Sequence, residues 1–116
     1  MVVHELSLAY TMLEMISGMV PDKLSLRKVH VTIGPLSGVW PDALQFGFEE
    51  LARQHGFSNA ALVVRKTPAV CMCVACGKRY ETEDVHSGCP VCGALARLIE
   101  SGAEFQMDSL EVEEEA

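Results

Sequence analysis

Four of the five cysteines lie in two C-x-x-C-G knuckles, Cys73–Gly77 and Cys89–Gly93, and twelve residues separate Cys76 from Cys89. Two residues between paired cysteines let one tight turn aim both sulfurs at one ion, and two such turns supply four thiolates at tetrahedral corners. The pattern predicts a closed, structural Zn(II) site formed by Cys73, Cys76, Cys89 and Cys92. Four protein ligands leave no open position for water, so we assign this ion no catalytic role.

The cysteines could also bind iron, form disulfides or act as a redox centre, and the sequence supports these three alternatives to different degrees. Iron in a rubredoxin-like site uses the same four thiolates, so the sequence leaves iron open. A disulfide pairing requires an oxidising compartment, and a thioredoxin-like redox centre uses one C-x-x-C, not two. The fifth thiol, Cys71, is expected to pack in a strand, with a substitute ligand or an oxidation-sensitive site as the alternative. His86 precedes the second knuckle and is expected to face solvent, with a metal or regulatory role as the alternative.

The first residues contain a second candidate metal ligand, His4. A histidine close to a free amine can form a chelate of the amine, an ionised backbone amide and the imidazole. Such nitrogen-rich, square-planar fields suit Ni(II) and Cu(II). One histidine in this position is weak evidence by itself. His30 and His55 are expected at ordinary surface or helix-end positions.

The composition excludes several classes of function. The chain has 116 residues and a formal net charge of −7, so it has no basic surplus with which to bind nucleic acid or an anionic membrane. No apolar run approaches the roughly 20 residues of a membrane span, and the N-terminus lacks the basic start of a signal peptide. We therefore expect a cytoplasmic protein whose thiols stay reduced.

Two helices are predicted from apolar residues at three- and four-residue spacing. The first lies within residues 1–20 after a short lead, with Ser7 as its N-cap and Pro21 at its end. The second starts at Pro41, where proline fits the first helical turn, and Gly56 is its C-terminal cap.

Strands are predicted from alternating and short apolar runs. They are residues 27–33, 62–66, 95–100 and 105–112. A turn at Ser101-Gly102 joins the last two, and a slip in the alternation between Met107 and Leu110 predicts a bulge.

The order of these elements predicts an α+β fold, in which two helices pack on a small mixed or antiparallel sheet with an inserted zinc-ribbon module. Residues 71–93 hold all the cysteines and few large apolar groups, so this stretch needs a metal to order it. We predict a zinc-ribbon domain over 71–93 and an α/β domain, which contains His4, over 1–70 and 94–116.

Five segments taken in order resemble the HypA/HybF family, the nickel metallochaperones of nickel-iron hydrogenase maturation. They are the opening His4-Glu5-Leu6-Ser7-Leu8, the run Ile33–Val39, the helix start Pro41–Phe48, the paired knuckles and the ending Ser109–Glu113. Each segment alone is a modest signal, but the combination covers nearly the whole chain.

The resemblance implies a function and a set of partners. It implies that His4 binds nickel with Glu5 as the adjacent contributor, and that Cys73, Cys76, Cys89 and Cys92 bind structural zinc. The implied partners are a nickel-insertion GTPase of the HypB type and the hydrogenase large subunit, and in some organisms the same route feeds urease. Nickel is then cargo and no substrate is transformed, so we expect a protein that is not an enzyme.

The chain departs from the family pattern in two places. Two extra residues precede His4, for which we expect either a natural start at Val3 or removal of Met1, leaving Val2-Val3-His4 as a four-nitrogen chelate. In addition, Trp40 occupies a position that is often acidic in the family, with Asp42 two residues further on. The full nickel ligand set therefore stays open, with Glu5 or Asp42 as compensating groups.

The sequence argues against two rival functions. A zinc-ribbon interaction module of transcription or translation would need a basic face, but Lys78 and Arg79 are outnumbered by Glu81, Glu83 and Asp84. A thiol redox sensor at Cys71 would need clustered basic residues to depress its pKa, and the sequence offers none. The sequence leaves open whether the ribbon supports a homodimer.

Overall fold

The fold places two helices and two three-stranded sheets along the chain. A computed structural model describes residues 2–84 and 86–113, with side chains from residue 4 onward. The helices are α1 (Val2–Ser17) and α2 (Pro41–Gln54), with a 3-10 turn at Lys23–Ser25. The strands are β1 (Leu26–Ile33), β2 (Ala61–Lys66), β3 (Ala69–Cys73), β4 (Arg79–Thr82), β5 (Arg97–Ser101) and β6 (Phe105–Val112). The predicted α+β class is confirmed.

The strands form one sheet in the order β2-β1-β6 and another in the order β4-β3-β5. The chain divides into two units. The first takes in the chain up to Val31, Val39–Arg65 and the chain from Met107, and the second takes in Thr32–Gly38 and Lys66–Gln106. The second unit is wider than the predicted ribbon of residues 71–93, whose own boundaries stay a prediction. None of the described helices is long and apolar enough to cross a membrane.

The core of the first unit is formed by apolar side chains from the two helices, from β1 and from the β2 region. α1 packs against α2, and the predicted α2 start at Pro41 and the Gly56 cap, at φ +92°, are confirmed. Buried apolar side chains come from α1 and Val20, from α2, from β1 and from the β2 region: Ala9, Met12, Leu13, Ile16, Val20, Leu44, Phe48, Ala52, Leu26, Val29, Val31, Phe57 and Leu62.

The predicted start and end of the first helix are wrong. α1 begins at Val2 and ends at Ser17, so Ser7 lies inside the helix, where its carbonyl accepts the Thr11 hydroxyl at 3.1 Å. A serine can cap a helix only if the residues before it leave the helical conformation. Met19 lies within the predicted range but follows the helix in the structure, and its side chain is exposed.

The turn after Ser101 joins two strands that belong to different sheets. β5 pairs antiparallel with β3, with Cys71 opposite Ile99, whereas β6 lies beside β1. Residues 69–73, where a strand was expected only at Cys71, and residues 79–82, where none was predicted, complete the second sheet. A register shift occurs between Val70 and Cys71, where β3 meets β5. The bulge predicted between Met107 and Leu110 stays a prediction.

Glu104 links two separate loops of the second unit by hydrogen bonds. Its carboxylate accepts the Thr67 hydroxyl at 2.7 Å and the Gly102 N–H at 2.8 Å. Its carbonyl accepts the Gly34 N–H at 2.8 Å. The Thr67 hydrogen bond, with help from the Glu104 and Gly102 N–H groups, lowers the pKa of this carboxyl below its usual 4.5.

We therefore expect Glu104→Gln to remove part of the acid sensitivity of the fold. A carboxyl whose pKa is lower in the folded state than in the unfolded state stabilises the fold above the unfolded pKa, about 4.5 here, and this stabilisation is lost as the pH falls through the folded pKa. Urea unfolding between pH 7 and pH 3 measures this loss. A wild-type-like fall in stability below pH 4.5 in the variant would contradict the assignment.

Candidate metal centres

The two knuckles bring four sulfurs into one cluster. The Sγ atoms of Cys73, Cys76, Cys89 and Cys92 all lie within 4.8 Å of one another. Two Sγ pairs, Cys73–Cys92 and Cys76–Cys89, are separated by 3.6 Å. A tetrahedral zinc with Zn–S bonds of about 2.3 Å sets its sulfurs about 3.8 Å apart. The cluster therefore fits the predicted four-thiolate zinc site, and none of the five thiols forms a disulfide.

Each knuckle forms the same backbone turn around its first cysteine. The Gly77 N–H donates to the Cys73 carbonyl at 2.9 Å, and the Gly93 N–H donates to the Cys89 carbonyl at 2.8 Å. The two glycines have φ values of +77° and +78°, in the left-handed region that favours glycine. In the second knuckle the Val91 N–H points at Cys89 Sγ, 3.4 Å away. The glycine after each C-x-x-C thus allows amide donors to turn toward sulfur.

The thiols of the cluster differ in pKa when no ion is bound. The Cys92 and Val91 N–H groups lower the pKa of the Cys89 thiol to about 7. The Lys78 N–H lowers the pKa of Cys76, but burial and the neighbouring sulfurs raise it more, to about 12. Four thiolates close together repel one another, so this cluster requires a cation.

Cys71 and His86 stay outside the sulfur cluster. Cys71 is fully buried on β3 beside Tyr80, as predicted for a packed strand cysteine, and it belongs to the small core that also contains Cys73 and Cys89. His86 is exposed, and its N–H donates to the Asp84 carboxylate at 2.9 Å.

His4 and Glu5 lie in the first turns of α1. The His4 side chain is 59% exposed, whereas Glu5 is fully buried, and His4 Nδ1 lies 3.2 Å from Glu5 Oε2. The same oxygen accepts the Trp40 N–H at 3.2 Å. Burial raises the pKa of Glu5, but the hydrogen bonds from His4 and Trp40 outweigh it and lower the pKa below its usual value.

The remaining predicted nickel groups do not gather around His4. Asp42 is exposed, and among residues 2–84 and 86–113 the four cysteines form the only close group of three or more metal-binding side chains. Met1 lies outside the described residues, and the predicted chelating amine, which belongs to residue 2 or residue 3 in the two expected N-termini, stays a prediction. The backbone from Val2 to His4 is helical, which differs from the planar arrangement of a four-nitrogen chelate.

Sequence reasoning missed the contact between Glu5 and the start of α2. Trp40 is the N-cap of α2 and has no side-chain cap. Its backbone N–H donates instead to the carboxylate of Glu5, 35 residues earlier in the chain. The sequence did contain one signal for it: Glu5 is an acidic residue on the buried face of α1, so it needs a hydrogen-bond donor nearby.

Comparisons with known proteins give a consistent result. Residues 3–112 match the family model described as "Hydrogenase/urease nickel incorporation, metallochaperone, hypA". The chain is 36% identical to the hydrogenase maturation factor HypA of Geobacter metallireducens, covering 95% of this chain and 99% of that one. It is 34% identical to the protein of that name from Aquifex aeolicus, covering 95% and 97%.

Solved structures agree in fold. The solution structure of the Ni metallochaperone HypA from Helicobacter pylori matches with a TM-score of 0.56 and 19% identity over 93% of this chain and 96% of that one. A second solution structure, of a HypA protein, matches with a TM-score of 0.61 and 20% identity over 95% and 96%. At these identities the match supports the fold alone.

Proposed function

Because this chain belongs to the HypA family, we propose that it is a nickel metallochaperone that delivers Ni(II) during the maturation of nickel-iron hydrogenase. The observation that carries the proposal is the family match over residues 3–112. The same family description names urease, so urease is a second target class for the same cargo.

Zinc is the resident ion in this proposal. Cys73, Cys76, Cys89 and Cys92 would hold it, and their separations fit its tetrahedral geometry. Bound zinc neutralises the four thiolates, and its binding free energy becomes folding free energy for the surrounding segment. Its role is structural, because four thiolates leave no position for a reacting water.

His4 is the proposed cargo ligand. Its ring is more than half exposed, so an ion can reach it and leave again. A metallochaperone needs an accessible site with few protein ligands, because positions left to water can be exchanged for ligands of an acceptor protein. Glu5 as a direct nickel ligand and Asp42 as a compensating ligand stay predictions.

The partners follow from the proposed delivery. The family works with the hydrogenase maturation machinery. Within it we propose a GTPase of the HypB type and the hydrogenase large subunit as the proteins that this chain contacts, in the cytoplasm. In this proposal the α/β domain (1–70 and 94–116) presents His4, the ribbon (71–93) docks, and the protein is a carrier, not an enzyme. A homodimer is compatible with these roles.

We expect His4→Ala to lower nickel affinity by more than about 100-fold, because loss of a group that merely supports a metal ligand already costs about 10- to 100-fold. Calorimetry of the zinc-loaded protein with Ni(II) measures the affinity. Quenching of the fluorescence of Trp40, the only tryptophan in the chain, by Ni(II) gives a second measure of binding. The Trp40 N–H and His4 contact the same Glu5 oxygen, so Trp40 lies close to the proposed site.

The matched control is His30→Ala. His30 is also paired with a glutamate, Glu111, but on the sheet. This variant is expected to bind nickel as the wild type does, and both variants should keep one zinc per chain. Unchanged nickel affinity in His4→Ala would refute the proposed cargo site.

A further inference from the structure

An open groove lies between α2 and the segment of chain that leads into β2. Its volume is about 370 Å³, at the lower end of the range of about 300–1,000 Å³ that is usual for ligand pockets. α2 contributes Phe46, Glu49 and Arg53 to one wall, and Ala60 and Ala61 lie on the other. The two alanines opposite the helix are small, so the groove has room for a side chain of another molecule.

Phe46 gives the groove an exposed apolar surface. Its side chain is 75% exposed, the largest exposed fraction among the large hydrophobic residues that the structure describes. The buried side chains Leu44, Phe48 and Ala52 lie on the other side of α2, so the packing of the helix does not use Phe46. An aromatic side chain that a partner covers is among the strongest contributors to binding at protein interfaces.

The groove carries a negative charge. Arg53 donates a hydrogen bond to Glu50, so these two opposite charges compensate each other. Glu49 accepts the Leu62 N–H through Oε2 at 3.0 Å, which holds its carboxylate at the wall and leaves Oε1 for another donor. Among the described residues that line the groove, Arg53 is the only basic one. With a net charge of −7 on the whole chain, the field here favours a basic partner.

The free edge of β2 cannot take up a partner strand at Leu62. β2 is an edge strand of its sheet, but both backbone groups of Leu62 are already bonded to α2. Its N–H donates to Glu49, and its carbonyl accepts the Gln45 side-chain amide at 3.0 Å. Strand addition depends on free N–H and C=O groups along an edge, so recognition in this groove must use side chains.

We propose that this groove docks a segment of a partner protein in which a large apolar side chain is flanked by arginine or lysine. The apolar side chain fills the space between Phe46 and the two alanines, and the basic side chain pairs with Glu49 or lies over the Phe46 ring. This surface adds a contact on the α/β domain to the docking proposed for the ribbon. It contains no candidate metal ligand, so the proposal does not depend on nickel.

The first experiment selects binders from a phage-displayed library of random dodecapeptides. The zinc-loaded, nickel-free full chain is the target, and phage that also bind the Phe46→Ser variant are removed. We expect the enriched peptides to combine a large apolar residue with arginine or lysine next to it. No enrichment over the variant, an acidic consensus, or a consensus without charge would overturn the proposal.

The second experiment measures the affinity of the most enriched peptide by fluorescence anisotropy. Phe46→Ser should weaken binding by about 30-fold or more, the size of effect that defines an interface hot spot. Glu49→Gln keeps an acceptor for the Leu62 N–H but loses the charge, so it should weaken binding by about 2- to 5-fold and reduce its salt dependence. Wild-type affinity in Phe46→Ser would show that the groove is not the binding site.

Two matched controls remove similar groups elsewhere. Leu98→Ser removes an apolar side chain that is 61% exposed in the second unit, and Glu14→Gln removes an exposed carboxylate of α1. Both should bind the peptide as the wild type does. A loss of affinity in these variants as large as in Phe46→Ser and Glu49→Gln would mean that the peptide responds to general hydrophobicity and charge.

A third measurement keeps the test independent of the folding of any variant. Amide chemical shifts of the wild-type protein, recorded as the peptide is added, should change at Phe46, Ala60 and Ala61. Shifts confined to β4-β3-β5 would place the peptide elsewhere and refute the proposal. Nickel affinity should be the same in Phe46→Ser and the wild type, so failure of this docking surface and failure of the proposed cargo site are distinguishable.

Discussion

Cys92→Ser is expected to release zinc and to unfold the sheet β4-β3-β5. Cys92 is exposed, so its replacement removes a ligand without opening a cavity in the core. The second unit has a small core of its own, with Ala69, Cys71, Cys73, Tyr80 and Cys89 as its buried members. Structural zinc contributes about 10–16 kcal/mol of apparent binding free energy in small zinc modules, far more than this core can replace.

Zinc content per chain and amide exchange of β3 and β5 measure the two parts of this prediction. Cys71→Ser is the control, because Cys71 is fully buried in the same core but lies outside the sulfur cluster. It should lower stability by about 1–3 kcal/mol through its buried hydroxyl and keep its zinc. A Cys92→Ser protein with one tightly bound zinc and protected β3 amides would show that three thiolates are sufficient here.

Features encoded by neighbouring residues could be predicted from the sequence. The knuckle spacing gave the four ligands of the cluster, because each C-x-x-C-G turn is closed by hydrogen bonds within five residues, such as Gly77 N–H to Cys73 O. The α2 boundaries were predicted for the same reason. Pro41 and Gly56 restrict their own backbone angles, whatever packs around them.

Features that depend on distant residues could not be predicted. The apolar pattern identified β5 and β6 as strands, but not that β5 pairs with β3 and β6 lies beside β1. The wrong start of α1 has a similar origin. Glu5 is buried in the helix, where its carboxylate accepts the Trp40 N–H. The partner lies 35 residues away, so the residues around Glu5 do not identify it, and Ser7 was predicted as the start instead.

Two glycines in the second unit are expected to tolerate no side chain. A Cβ on Gly34 would lie 2.2 Å from the Gly102 carbonyl oxygen, and a Cβ on Gly102 would lie 2.6 Å from Ala69 Cα. These neighbours are backbone atoms, which cannot rotate away. Gly102 also has a φ of +117°. We expect Gly34→Ala to destabilise the zinc-loaded protein by about 3 kcal/mol from overlap alone, and Gly102→Ala by about 4 kcal/mol, because backbone strain is added.

Gly38→Ala is the control that measures backbone strain without steric overlap. Gly38 has a φ of +79°, but a Cβ added there would have no neighbouring atom within 4 Å. It should cost only about 1–2 kcal/mol, the strain of a left-handed residue. Urea unfolding with zinc retained ranks the three variants, and we expect Gly102→Ala to be least stable, then Gly34→Ala, then Gly38→Ala. Because the Gly102 N–H bonds to the Glu104 carboxylate, Gly102→Ala should also lose part of the acid-dependent stability that Glu104 supplies. Equal stability of Gly34→Ala and Gly38→Ala would mean that the two loops separate readily, and that their contact is not what holds the second unit together.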